Sequence, residues 1–323
     1  AWNCEITQNV AFSEAGVFRL QVAPPIDAYF GVTVPSSASE PIGRFYPTHL
    51  KVEGEGALTA GCGVFSYQDQ PIDIATPLTL TITGYGRVDG GGEYITENYD
   101  YDGFWKFEDR PAEVWTAADR ELDLSDRLLL DDDGVTERGQ NDRDGKRTYT
   151  WDAKRLSYTR SALPTAGDLP FSIRQRFSAA ELTDKDGVCY DLGTSCQAFE
   201  QTIADSEIRL GRLRIANAHG SEQLPLALPW MIESWQVPGV FLPEEGDICS
   251  ASAWSEPDLI EPTGDLAAIT APEVSTIKAG HQGVLTVAAP EVTGSGRVGF
   301  PKVPKWLWYD WRGEGREPSR GLA

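Results

Sequence analysis

Apolar and polar residues alternate along most of the chain instead of recurring at helical spacing. The clearest case is PLTLTITGYG at 77–86, where Leu78, Leu80 and Ile82 alternate with threonines as a half-buried strand requires. Residues 16–34, GVFRLQVAPPIDAYFGVTV, hold two short apolar runs split by a Pro-Pro turn and read as strands. IGRFYPTHLKVEG and GVFSYQDQPIDIATPLTLTITGYG follow as strands, and RVDGGGE as a turn. ITENYDYDGFWKFED is expected to carry its aromatic residues into the next strand. RLLLDDDGVTERGQNDRDGKRTYTWDA reads as a strand, an acidic loop with an exposed tip, and a second strand.

Later segments repeat the signal: LPFSIRQRFSAAEL, IRLGRLRIANAHG, LPLALPWMIESWQV and GVLTVAAPEV are all strand-like. In GRLRIANAHGSEQLPL, Leu213 and Ile215 face one way and Arg212 and Arg214 the other, with Asn217 to Glu222 as the turn of a hairpin. No helix-capping residue leads into a long amphipathic run. The fold class predicted is all-β: tandem antiparallel β-sandwich domains, Ig-like or adhesin-like, with long loops. The Pro, Gly and Ser of SALPTAGDLP mark a seam near Ser161, giving an N-terminal sandwich with its entry strands at 1–160 and a C-terminal one at 161–323. EPTGDLAAITAPEVSTIKAG is a further candidate seam, or a long loop between strands.

Composition supports strands and turns, with 32 glycines, 21 prolines and one methionine in 323 residues. The formal charge of -21 repels nucleic acid and anionic lipid, so nucleic-acid binding is not expected. No stretch approaches the roughly 20 apolar residues of a spanning helix, so no membrane span is expected. The chain starts at Ala1 with neither Met nor a leader, which suits a mature secreted protein or an excised fragment. Five cysteines without a CxxC pair or a Cys/His cluster suit disulfides formed on export through an oxidising compartment. Cys189 and Cys196 enclose six residues and form a candidate bridge across a hairpin end. Cys4, Cys62 and Cys249 then supply one more bridge and one free thiol; Cys62 with Cys249 is one candidate, and the pairing stays open.

Three acidic clusters invite comparison with calcium loops: Asp131, Asp132 and Asp133 before Gly134; Asn141, Asp142 and Asp144 before Gly145; Asp184 and Asp186 before Gly187. Several convergent oxygens could hold a hard cation, but none of the clusters completes an EF-hand loop, and solvated acidic turns account for the same pattern. Calcium is thus a candidate ligand, and no cofactor is required. His219 lies two residues before Ser221 without a GxSxG elbow, and His49 and His281 stand outside any HExxH pairing, so neither a nucleophilic triad nor a zinc site is expected. The 49 carboxylates single out no pair for glycoside hydrolysis. Among ten tryptophans, Trp306, Trp308 and Trp311, with Trp105 in its aromatic segment, are the candidate faces for a sugar ring or a neighbouring subunit; on an extended strand Trp306 and Trp308 would share a face.

Six phrases in order, EAGVFRL (14–20), IGRFYPTHL (42–50), CGVFSYQDQPI (62–72), LTDKDGVCY (182–190), GRLRIANAHGSEQLPL (211–226) and WLWYDW (306–311), resemble the C-terminal domain family of MshQ-like proteins. That family is associated with the mannose-sensitive haemagglutinin, a type IV pilus. The resemblance implies an exported, strand-rich protein encoded with pilus-assembly genes, often carried behind a lectin-like sandwich, with no known catalytic residues. Relatives tend to carry an acidic run after the last YDW; here Asp310, Arg312 and Glu314 stand there, and the arginine argues against a cation. They also usually continue past EPSRGLA, so the last sheet edge is expected to be open or completed by a partner. Within IGRFYPTHL, Arg44 is expected to satisfy carbonyls or a carboxylate at a corner.

The expected function is a non-catalytic extracellular structural or adhesive component of a pilus-associated surface system. Its expected partners are other pilus or appendage subunits and surface glycans. A carbohydrate-binding module or glycosidase, and a self-assembling filament subunit, are the alternatives.

Overall fold

The computed structural model describes residues 12–22, 35–88, 90–161, 163–193, 195–250, 257–269, 272–300 and 302–309. Cys4 and Trp311 lie outside the described residues. The protein is built almost wholly of antiparallel sheet, with short 3-10 turns and no α-helix among the described residues.

The organiser of the first half is the strand Ile72–Arg87, in which Leu78, Leu80 and Ile82 are fully buried and the intervening threonines only half so. It pairs with His49–Thr59, Glu93–Ile95, Lys146–Trp151 and Arg155–Tyr158 in a seven-stranded sheet. A three-stranded sheet of Glu113–Ala117, Ile173–Phe177 and Phe199–Thr202 covers its apolar face. Trp151 from the large sheet meets Phe177 from the small one, ring centroids 6.0 Å apart, and its indole donates to Glu113 (3.0 Å).

The chain does not part near Ser161. Ile173–Phe177 pairs residue for residue with Glu113–Ala117, and Phe171, Ile173, Phe177, Leu182, Val188 and Ile203 belong to the same core as Leu50 and Leu80. Pro, Gly and Ser there make a turn, not a linker, because the buried Asp168 pins it. Its carboxylate accepts hydrogen bonds from Ser161 Oγ (2.7 Å), Thr165 N (2.9 Å), Thr165 Oγ1 (2.8 Å), Gln68 Nε2 (3.1 Å) and Arg127 (2.9 Å). The second core gathers Leu213, Ile215, Leu228, Trp230, Ile232, Leu285, Val298 and Phe300.

In that second half, Gly211–Ile215 and Leu226–Val237 form the predicted hairpin, Gly211 opposite Ser234 and Ile215 opposite Trp230. Arg212 and Arg214, on the outer side of their strand, both reach the buried Glu233 carboxylate (2.7 and 3.2 Å). Gln282–Val287 and Val274–Ala279 complete the sheet. The stretch 261–280, read as a seam or loop, instead holds the end of strand Asp258–Gly264, paired with Gly294–Gly299, and then strand Val274–Ala279.

Two local expectations also change. The aromatic segment 95–109 turns at a 3-10 step, Asp102–Phe104, and does not run into a strand. The acidic stretch 131–145 contains an extra strand, Val135–Arg138, paired with Lys146–Trp151.

Candidate functional site

The acidic loops organise backbone. Asp131 Oδ1 accepts from the amides of Lys154 (2.8 Å) and Arg155 (3.0 Å), and these bonds, Arg155 first, hold its carboxyl below the ordinary range. Asp132 accepts from Gly134 N (2.8 Å). Asn141 Oδ1 accepts from Asp102 N (2.7 Å), while Asp144 accepts from Lys146 N (3.2 Å). Asp184 Oδ1 accepts from the amides of Asp186 and Val188 (2.9 Å each) and its Oδ2 from the Tyr99 hydroxyl (2.7 Å). Asp186 pairs with Arg44, which also donates to Phe104 O (3.3 Å), so the arginine meets both a carbonyl and a carboxylate at its corner.

Two of the three clusters converge on one segment, Tyr99–Trp105, and Asp131–Asp133 does not. Asp100, buried and not singled out by the sequence pattern, accepts from the amides of Arg143 (2.9 Å) and Gly145 (3.1 Å). Gly145 has φ +71°, and a Cβ there would lie 2.5 Å from Thr96 O, so glycine closes this loop for a steric reason independent of any cation. Glu14, in the first of the six phrases, accepts from the amides of Glu97 (3.1 Å) and Asn98 (2.9 Å). Trp105, a candidate sugar-binding face, is buried against Tyr99 and Phe107 with Arg147 over its ring (4.6 Å). Core packing claimed it because its segment folds inward at the 3-10 turn.

The two C-terminal tryptophans within the described residues are also engaged. Lys305–Leu307 is a 3-10 turn that buries Leu307, so Trp306 and Trp308 do not stand side by side on an extended strand. Trp306 donates to Ser250 Oγ (3.1 Å) and Trp308 to Val303 O (2.8 Å), both half-buried against the second core.

The densest polar chemistry lies where the two cores meet. A loop of the first half, residues 62–70, sends Cys62, Phe65 and Tyr67 into the second core. Ser66–Tyr67 pairs in parallel with Ile208–Arg209, and Cys62 is bonded to Cys249. Tyr67 packs so closely on Gly211 that a Cβ there would lie 2.5 Å from its ring. Its hydroxyl donates to Asp247 (2.8 Å); burial, with the Asp247 charge beside it, drives the phenol pKa far up, so it stays a donor. Buried Glu244 accepts from Ser234 Oγ (2.6 Å) and Arg209 (2.8 Å), and Arg209 lies over the Phe65 ring (4.1 Å). From the other side, Arg160 donates to Gly211 O (2.8 Å) and Trp235 to Thr165 O (3.1 Å). Cys62, Asp247 and Cys249 approach one another as metal ligands would, but the sulfurs are joined and offer no thiolate.

A groove of about 480 Å³ opens in the second half, with Leu226, Leu228, Leu259, Leu266, Val287 and Val298 among its walls and the 217–222 turn at its rim. Among the described residues no hydrogen bond joins His219 to Ser221; the serine hydroxyl accepts from Gln223 N (3.2 Å). Of the junction, the sequence offered Cys62 with Cys249 as one candidate pair and nothing of Tyr67 with Asp247, because such partners lie nearly two hundred residues apart. The junction's only local signal was the density of polar and aromatic residues in CGVFSYQDQPI.

Fold and junction together define a two-module, disulfide-stapled β protein. Its two bridges, Cys62–Cys249 and Cys189–Cys196, suit an oxidising compartment, and no described helix is long and apolar enough to cross a membrane. The chain belongs to the DUF6701 family: residues 14–203 match its third domain and residues 209–323 its fourth. The boundary between them falls at the junction, at the short strand that pairs with Ser66–Tyr67. No curated protein matches the chain.

Proposed function

We propose that this protein is a non-catalytic structural component of an exported surface assembly, a rigid pair of β modules in a longer row. The observation that carries the reading is the junction, where a covalent bridge, an inserted tyrosine and two buried carboxylates hold one module against the next. Loosely linked domains meet through polar, sliding interfaces; a junction of this kind favours fixed spacing and orientation. The resemblance of the six phrases to MshQ-like proteins favours a type IV pilus-associated system, with appendage subunits as partners.

Sugar recognition has weaker support, since Trp105 is buried and Trp306 and Trp308 are half-buried and hydrogen-bonded. The reading is tested in the native cell. A surface component is digested by protease added to intact cells and crosslinks to pilus or appendage subunits. Protection from protease without permeabilisation sinks the surface assignment, and concentration-dependent self-assembly of the purified chain would favour a filament subunit.

A further inference from the structure

Tension along this chain would have two routes between Cys62 and Cys249. One is the backbone through residues 63–248, which includes the strand Ile72–Arg87, the whole three-stranded sheet and the boundary between the two DUF6701 domains. The other is a single sulfur–sulfur bond that spans a sequence separation of 187. A covalent shortcut keeps everything inside its loop from being stretched, because the loop cannot lengthen the path between its two closed ends.

We infer that the Cys62–Cys249 bridge is a clamp that carries pulling force past the module junction. The inference rests on the surface-spacer reading for the source of tension, though not for its path. Entry to the clamp is suited to load. His49–Thr59 leads almost directly into Cys62 and lies antiparallel to Ile72–Arg87, paired from His49 with Tyr85 to Thr59 with Asp73. A strand already rises about 3.3 Å per residue, close to the limit of a stretched chain, so load along it gains little length.

The junction contacts keep the bridge seated. The Cys249 amide donates to Cys62 Sγ (3.3 Å), Ser250 N donates to Asp247 (2.9 Å), and Asp247 in turn holds Tyr67. The second bridge, Cys189–Cys196, lies within the closed loop and spans a separation of only 7, so it has no part in this route.

The test is to pull the full chain by handles at its two ends in an optical trap, before and after a phosphine reductant enters the chamber. At about 3.5 Å per stretched residue, the intact clamp withholds roughly 650 Å of final contour length, which appears on reduction. The paired substitution Cys62→Ser with Cys249→Ser reaches the long contour without reductant, short of it only by the roughly 25 Å that the Cys189–Cys196 bridge still withholds, whereas Cys189→Ser with Cys196→Ser keeps the short contour unchanged, because that bridge lies inside the closed loop. Final contour does not depend on folding, so a variant that fails to fold still reports. Equal lengths with and without reductant overturn the clamp, as does alkylation of Cys62 and Cys249 by a thiol reagent applied to living cells before lysis. A bridge found intact in a protein that protease cannot reach from outside leaves the clamp standing and removes the surface reading.

Discussion

Asp168 illustrates how one side chain converts a loop-like sequence into a fixed turn. Burial alone would raise its pKa, but the hydrogen bonds from Ser161, Thr165 and Arg127 outweigh that and hold it below the ordinary carboxylate value. A depressed folded pKa means the unfolded chain binds the proton more readily. The stabilisation is therefore complete above about pH 4, the unfolded value, and is lost as pH falls through the folded one. Asp168→Asn should cost about 3 kcal/mol at pH 7, since charge-assisted buried bonds are weakened or broken and Arg127 loses its carboxylate. Urea melts of both proteins between pH 7 and pH 2.5 check this: the difference should shrink in acid. Tyr67→Phe keeps the ring against Gly211 but strips Asp247 of its donor, for an expected loss of about 1–2 kcal/mol in the same assay.

At the scale of elements, the acidic loops are held by their own amides and by neighbouring arginine and tyrosine groups. A calcium ion would have to compete for oxygens that already accept two N–H bonds, as in Asp131, or an amide pair and a phenol, as in Asp184. Thermal unfolding should accordingly be unchanged by millimolar calcium or by chelator. A calcium-dependent rise in Tm would restore 131–133, 141–144 and 184–186 as ion sites. The two disulfides should contribute unequally. On the chain-entropy account, closing a loop of separation 187 is worth about 5 kcal/mol and one of 7 about 2.5 kcal/mol. Guanidinium unfolding of Cys62→Ser/Cys249→Ser and of Cys189→Ser/Cys196→Ser should rank in that order.

Across the whole molecule, the junction makes the modules one mechanical and thermodynamic unit. Phe65 and Tyr67 belong to the first module's chain but to the second module's core, so neither core can open without disturbing the other. Calorimetry of the oxidised protein should give a single transition, and so should the Cys62→Ser/Cys249→Ser variant, at a lower temperature, because Phe65 and Tyr67 stay in the second core. Two transitions in the oxidised protein would mean that the contacts at 62–70 couple the modules weakly.

Much of this architecture was legible from alternation. The threonine-interleaved Leu78, Leu80 and Ile82, the hairpin at 211–237 and the corner role of Arg44 all follow from period-two patterning and local chemistry, which act over a few residues. The division of the chain was not legible in this way. Turn residues near Ser161 and near Thr263 read equally well inside a sheet or between domains, and only strand pairing, of Ile173–Phe177 with Glu113–Ala117 and of Asp258–Gly264 with Gly294–Gly299, distinguishes the two. Trp105 and the Asp-Gly loops looked like surface chemistry because charge and aromaticity are visible in one dimension while burial is not.

By itself, then, the sequence determined that this is an antiparallel β protein with a compact Cys189–Cys196 loop, since strand period and short-range closure are local properties. Tertiary structure alone decided that Cys62 meets Cys249, that Tyr67 meets Asp247 and that Asp168 closes a turn. Each joins groups whose proximity is set by how the sheets pack, and sheet packing is a balance of many long-range contacts that no short run of residues encodes.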